Sequence, residues 1–249
     1  RLTPPELPWV SLYWLFALIL AAVIVVVLAV RFPRIELQDD ERSGSLHSYR
    51  ELLKNKYVYL FFFGMLAYTA SEQGVANWIS EFLRSYHGLD PQTVGAPVVG
   101  RFWGYMSVGC LAGLFALKLW NWRIVLKVSG ALAVASLLAA LFGPAGVAVQ
   151  AFPAVGFSIS VMFSIVMSTG LNSVDRYHGS LAGILCTGIA GGALGPLIVG
   201  WLGDLAGLRI ALLFVCLTIG YIVSIAFWAR PLVENRCVRF SELFKSAER

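Results

Sequence analysis

Charge is scarce in this sequence. Asp, Glu, Lys and Arg make up only 13% of its 249 residues, against about 25% in ordinary soluble domains. So few polar side chains cannot clothe a folded surface in water, so a water-covered globule is excluded. Histidine is scarcer still. His47, His87 and His178 are the three present, and each is read as lying in a loop with no evident partner. The four cysteines, Cys110, Cys186, Cys216 and Cys237, form no CxxC pair, and the first three lie inside apolar runs. They read as small packing residues, with no disulfide or metal framework expected. No P-loop and no GxSxG sequence occurs, and no acid–base set converges. The expectation is therefore a protein that is not an enzyme and carries no cofactor or metal.

What is abundant is apolar sequence. Hydrophobic residues are 58% of the chain and the mean hydropathy is +0.75. A membrane helix needs about 20 mostly apolar residues to cross about 30 Å of hydrocarbon. Seven runs meet that length, at 9–32, 57–83, 97–119, 124–142, 147–171, 181–202 and 209–229. In lipid, unsatisfied backbone groups are too costly to leave open, so spans are helices or closed barrels. Barrel strands alternate in polarity; Leu18 to Val30 (LILAAVIVVVLAV) does not. The predicted fold is all-α, a polytopic membrane helix bundle with seven spans and the bilayer as its solvent.

The net charge of +5 raises the question of a nucleic-acid partner, which its distribution excludes. Basic residues gather in alternate loops, the signature of membrane topology. Fifteen of the nineteen Lys and Arg fall on one side, and Arg1, Arg84, Arg101 and Arg209 fall on the other. The richer side is read as cytoplasmic, with the C-terminus inside and Arg1 outside. An external start without a signal sequence leads us to expect earlier spans upstream of Arg1. The expected organisation is residues 1–32 as the last helix of an N-terminal half and 33–56 as a basic cytoplasmic linker. Residues 57–230 would form a six-helix C-terminal half, and 231–249 a cytoplasmic tail.

Polar residues inside a span are costly and call for a reason. In the second span, Gln73, Asn77, Glu81 and Arg84 recur at helical spacing, with Gly74 and Trp78 beside them and Glu72 about 100° away. Amides and a carboxylate next to an indole suit a sugar, whose hydroxyls need paired donors and acceptors and whose C–H face stacks on an aromatic ring. Glu72 also offers a protonatable site. Against this stands plain packing, in which Gln73 and Asn77 bond helix to helix and Glu81 and Arg84 pair at the interface. Gly156, Ser160, Ser164, Ser168 and Asn172, each four apart, read as a small-residue packing stripe. The sixth span carries Gly183, Gly188, Gly191, Gly192, Gly195, Pro196 and Gly200. Proline removes a helix donor, so a kink at Pro196 is expected.

The stretch Asp175–Gly207 (DRYHGSLAGILCTGIAGGALGPLIVGWLGDLAG), with Tyr177, Gly179, Ser180, Thr187, Gly191, Gly192, Pro196, Gly200, Asp204 and Gly207, resembles the major facilitator superfamily. Within that superfamily the likeness is to the fucose permease-like sugar:proton symporters. Tyr68–Trp78 is similar to the family's seventh helix, which has Gln or Glu at the Glu72 position and a nearby Trp. Gly109–Leu126 is similar to its GRxxG segment and basic loop, with Cys110 in place of the arginine and Gly113, Lys118 and Arg123 retained. The resemblance implies the major facilitator fold, the visible spans being helices six to twelve, and a cavity between two halves. It implies transport of a small polar solute, a monosaccharide above all, with a proton or sodium, by alternating access. The substrate-binding candidates are then Glu72, Gln73, Asn77 and Trp78, with Tyr105 and Ser164 on neighbouring walls. Glu72 is also the proton-coupling candidate. Gly191, Gly192, Gly195, Pro196 and Gly200 form the gating helix. The N-terminal half of the same protein is the implied partner, and a bacterial inner membrane the implied location. The rival expectations are a drug or metabolite exporter on the same scaffold, or a non-transporting membrane receptor or partner.

Overall fold

The computed structural model describes residues 10–30 and 46–233. It divides into two compact units, Arg1–Gln38 and Asp39–Arg249. The described part of the first is one helix, α1 (Val10–Ala29). It carries no charged residue and buries none of its side chains within the unit, as a helix solvated by lipid or by other helices must.

The second unit is all-helical among its described residues. It comprises α2 (Leu46–Leu52), α3 (Lys56–Ala76), α4 (Ile79–His87), α5 (Ala96–Leu119), α6 (Trp122–Phe142), α7 (Ala145–Ile159), α8 (Met162–Leu171), α9 (His178–Thr187), α10 (Gly191–Ala206) and α11 (Leu208–Trp228). Helix α3 packs on α10 and α11; α5 and α6 pack on α7; α6 against α11 closes the bundle. Short polar residues set the helix starts. The Asn55 side chain accepts from the Tyr57 amide and the Asn121 side chain from the Arg123 amide, each satisfying a donor that the first turn leaves open.

Among the described residues, six helical stretches are long and apolar enough to cross a membrane: Val10–Ala29, Pro91–Leu119, Trp122–Phe142, Ala145–Leu171, His178–Ala206 and Leu208–Trp228. The predicted span at 57–83 is present as α3 and α4 but is not among them. Its Ser71, Glu72, Gln73 and Asn77 depress its hydropathy, and it is not one continuous helix. It breaks at Asn77–Trp78. The span at 147–171 breaks at Ser160–Val161. The glycine-rich span also differs from expectation. Its interruption is a 3₁₀ turn at Gly188–Ala190, upstream of Pro196, and α10 runs on through the proline. Gly188, whose added Cβ would lie 2.8 Å from the Met65 side chain, lets the chain tighten there against α3.

In lipid, apolar contact between helices gains little over contact with acyl chains, so close packing and interhelical hydrogen bonds hold spans together. That makes the α3–α10 seam telling. A Cβ on Gly191 would strike the Leu66 carbonyl oxygen, and one on Gly195 the Ala70 carbonyl oxygen. The two backbones therefore touch with no side chain between them. At the opposite wall, Arg123 donates from both terminal nitrogens, at 2.6 Å each, to the Ala226 and Ala229 carbonyl oxygens. It thereby satisfies the open end of α11 from the start of α6.

Candidate functional site

The break in the α3–α4 span gathers most of the predicted residues. Gln73 Nε2 donates to Glu72 Oε1 at 3.2 Å. Asn77 Nδ2 donates to the Gln73 backbone oxygen at 2.9 Å and to Gln73 Oε1 at 3.2 Å. Carboxylate and two amides thus form one connected chain along the last turn of α3. Glu72 and Gln73 are half-buried and Asn77 is exposed, so the chain keeps unfilled acceptors and donors on an open face. One turn earlier, the buried Tyr68 hydroxyl interacts with the Glu72 carboxylate. The Tyr68 ring lies 5.6 Å from that of Phe163 on α8, tilted by 60°.

Trp78 sits at the break itself. Its indole Nε1 donates to the Pro196 carbonyl oxygen at 3.1 Å, and an added Cβ on Gly200 would lie 2.8 Å from the ring. Gly192 faces Gln73, with the Gln73 Cγ 3.2 Å from where a Cβ would stand. Gly191, Gly192, Gly195, Pro196 and Gly200 therefore do share a structural task with the α3 residues. They let α10 lie directly on α3 and receive the tryptophan. Thr69 strengthens the same seam, donating to the Gly188 carbonyl oxygen at 3.0 Å.

Other predicted residues fall elsewhere. Glu81 and Arg84 lie on α4, beyond the break at Asn77–Trp78. They pair with each other at 2.7 Å, Ser85 also donating to Glu81 at 2.7 Å. Tyr105 is exposed on α5 and makes no recorded polar contact with the α3 chain. Ser164, on α8, lines a pocket of about 140 Å³ with Cys110 and Ser160. Two residues missed in the sequence belong beside the site. Cys110, read there as packing, is exposed. Its thiol donates to the Ser160 carbonyl oxygen at 3.6 Å, and it lies within electrostatic reach of Tyr68. Phe163 on α8 lies tilted against the Tyr68 ring. The spacing of Tyr68, four residues before Glu72, was the signal available for that group. Cys186 is exposed and Cys216 half-buried; Cys237 lies outside the described residues. Among the described residues, no group of three or more His, Cys, Asp or Glu could hold a metal.

This arrangement can bind a neutral polyhydroxylated solute through paired donors and acceptors beside aromatic rings. Residues 4–190 match the Major Facilitator Superfamily. The chain is 29% identical over 83% of its length to a "Glucose/galactose transporter" of Brucella abortus biovar 1, covering 51% of that protein. It is likewise 29% identical over 82% of its length to the "Membrane protein MosC" of Rhizobium meliloti, covering 49% of it. The chain thus spans about half the length of the curated relatives it matches. In structure it resembles the Escherichia coli fucose:proton symporter FucP, with a TM-score of 0.73 and 17% identity, over 86% of this chain and 53% of that one. At that identity the likeness is one of fold. Membrane-spanning helices, an all-α bundle and a superfamily match over most of the sequence agree: the chain belongs to the Major Facilitator Superfamily and is an integral membrane protein.

Proposed function

We propose that this chain is the C-terminal portion, helices six to twelve, of a secondary transporter that moves a monosaccharide with a proton by alternating access. The carrying observation is the Glu72–Gln73–Asn77 chain at a helix break, packed on the glycine face of α10. Discontinuous helices near the midplane are where transporters of this architecture place polar sites. The names of the relatives, a glucose/galactose transporter and a fucose:proton symporter, support a sugar over a drug or metabolite. Gln73, Asn77 and Glu72 bond the hydroxyls, and Trp78 supplies a ring at the break. Tyr105 and Ser164 stand on the facing walls. Glu72, the carboxylate of this polar chain, is the coupling candidate on this half. In this reading residues 33–56 are the cytoplasmic linker and 231–249 a cytoplasmic tail, in a bacterial inner membrane.

Because α3 and α10 touch backbone to backbone, rocking of the halves moves them as one body. The Trp78–Pro196 bond then carries the break of α3 with α10. The test is uptake by the full-length protein in proteoliposomes. Radiolabelled glucose, galactose and fucose are each supplied with and without an inward proton gradient. Accumulation of at least one sugar that collapses with a protonophore is the expected result. Saturable binding without flux would instead establish a receptor, and flux of amphipathic cations alone an exporter.

A further inference from the structure

A groove between α4 and α10 shares Trp78 and Gly200 with the reading above, and its other lining residues have no part in it. It encloses about 390 Å³, within the range of about 300–1,000 Å³ typical of small-molecule pockets. Its two walls are tied together at both ends. At the floor, Trp78 donates to the Pro196 carbonyl oxygen at 3.1 Å. At the mouth, the Arg209 backbone amide donates to Tyr86 Oη at 3.1 Å, and the Arg209 guanidinium lies 4.6 Å from the Tyr86 ring centre. Between the tethers the helices stay apart, and the space falls where α10 presents Gly200 and Gly203 in place of side chains.

Its lining has the chemistry of a polyol site. The half-buried Trp78 ring forms the floor, its edge held by Pro196. Asp204 is exposed and has no hydrogen-bond or ion-pair partner among the described residues, so both its oxygens are free to accept from adjacent hydroxyls. Ser85 adds a hydroxyl. Glu81 on the same wall is already paired with Arg84 at 2.7 Å, which leaves one unneutralised carboxylate in the groove. We infer that this groove is a second solute subsite, where a monosaccharide lands on Trp78 and Asp204 before passing to the Glu72–Gln73–Asn77 chain. The inference rests on the sugar-transport reading. Trp78, common to both places, is the step between them.

Asp204→Asn and Asp204→Leu in the full-length protein test it, by initial-rate sugar uptake in proteoliposomes and by equilibrium sugar binding to the solubilised protein. Asp204 is exposed, so neither change disturbs the core. The expected result is a three- to tenfold higher KM for uptake, a maximal rate within twofold of wild type, and one fewer bound sugar per protein. Asn77→Ala should leave affinity for the outer bound sugar unchanged and weaken the inner one about tenfold. Wild-type KM and stoichiometry in both Asp204 variants, with wild-type flux intact, would overturn the subsite alone. Absence of flux of any of the three sugars by the wild type would overturn the transport reading. Two further outcomes would also overturn the subsite. One is a primary amine displaced by Asp204→Asn while sugar binding is unchanged, which would make the groove a cation site. The other is lower yield of folded protein with unaltered KM, which would make it a packing surface for the rest of the protein.

Discussion

Gly195→Ala probes the α3–α10 seam most sharply. The new methyl would stand 2.7 Å from Ala70 Cα, 2.9 Å from the Ala70 carbonyl carbon and closer still to its oxygen. Backbone atoms cannot swing away as a side-chain tip can, so the helices must separate. Restoring ordinary contact of about 3.4 Å to Ala70 Cα requires α10 to retreat by about 0.7 Å. The Trp78 Nε1–Pro196 distance, 3.1 Å, would then stretch to about 3.8 Å, beyond a hydrogen bond. Overpacking of this kind costs about 1–3 kcal/mol, and the lost indole bond about 1 kcal/mol more. The assay is thermal unfolding of the full-length protein in detergent, paired with sugar uptake. Gly220→Ala serves as the control. Its Cβ meets nothing within 4 Å, and alanine is favoured there by about 0.5–1 kcal/mol as a helix residue. Gly195→Ala should lower the unfolding midpoint and slow uptake, and Gly220→Ala should leave both unchanged or raise the midpoint. Equal behaviour of the two variants would refute backbone contact between α3 and α10.

Arg123→Leu should lower the unfolding midpoint, because two charge-assisted bonds to α11 carbonyls are worth about 1.5–3 kcal/mol each. Arg123→Lys should recover only part of the loss, since an ammonium cannot span both oxygens as the guanidinium fork does; midpoints equal to wild type would dismiss the clamp. Asn77→Ala should raise the KM for sugar about tenfold, equivalent to about 1.4 kcal/mol of lost hydrogen bonding, and unaltered kinetics would remove Asn77 from the site. Asp90 accepts from the Thr93 amide at 2.7 Å, the Thr93 hydroxyl at 3.0 Å and the Gln92 amide at 3.0 Å. These bonds, those of Thr93 first, hold its carboxyl below the usual range. A lowered folded pKa gives stability that is complete above the ordinary carboxylate pKa and lost as pH falls through the folded value. Unfolding midpoints measured from pH 6 to pH 3 should therefore fall less steeply in Asp90→Asn than in wild type; identical slopes would deny the cap any role.

The helices were legible because lipid imposes a length and an apolarity that the sequence must obey. Ends placed by those rules at 97–119 and 209–229 lie next to α5 and α11. The breaks were not legible. Asn77–Trp78 and Ser160–Val161 carry no proline, and the helix yields there through long-range contacts such as the indole bond to Pro196. The 3₁₀ turn at Gly188–Ala190 was hidden too, because Gly188 lets the chain tighten against Met65 where no local signal marks a turn. Within the site, Glu72, Gln73 and Asn77 were readable because their neighbours in sequence are their neighbours in space. Cys110 and Phe163 reach Tyr68 across other helices, and periodicity within one span says nothing of that. Glu81 and Arg84 lie beyond the break and pair with each other, the outcome that the packing reading of the sequence offered.

The central claim is that a sugar occupies the space bounded by the α3 polar chain, Tyr68 and the Cys110 wall. Cys110 is exposed and already a thiol, and it lines a pocket with Ser160 and Ser164, so it reports on the wall that holds the Ser164 candidate without a new side chain. In full-length protein with Cys186, Cys216 and Cys237 changed to serine, the rate of maleimide labelling at Cys110 should fall as the transported sugar is added. Half-protection should come near the KM for uptake. Labelling that ignores the sugar at saturating concentration, in a preparation that still transports it, would place the binding site elsewhere.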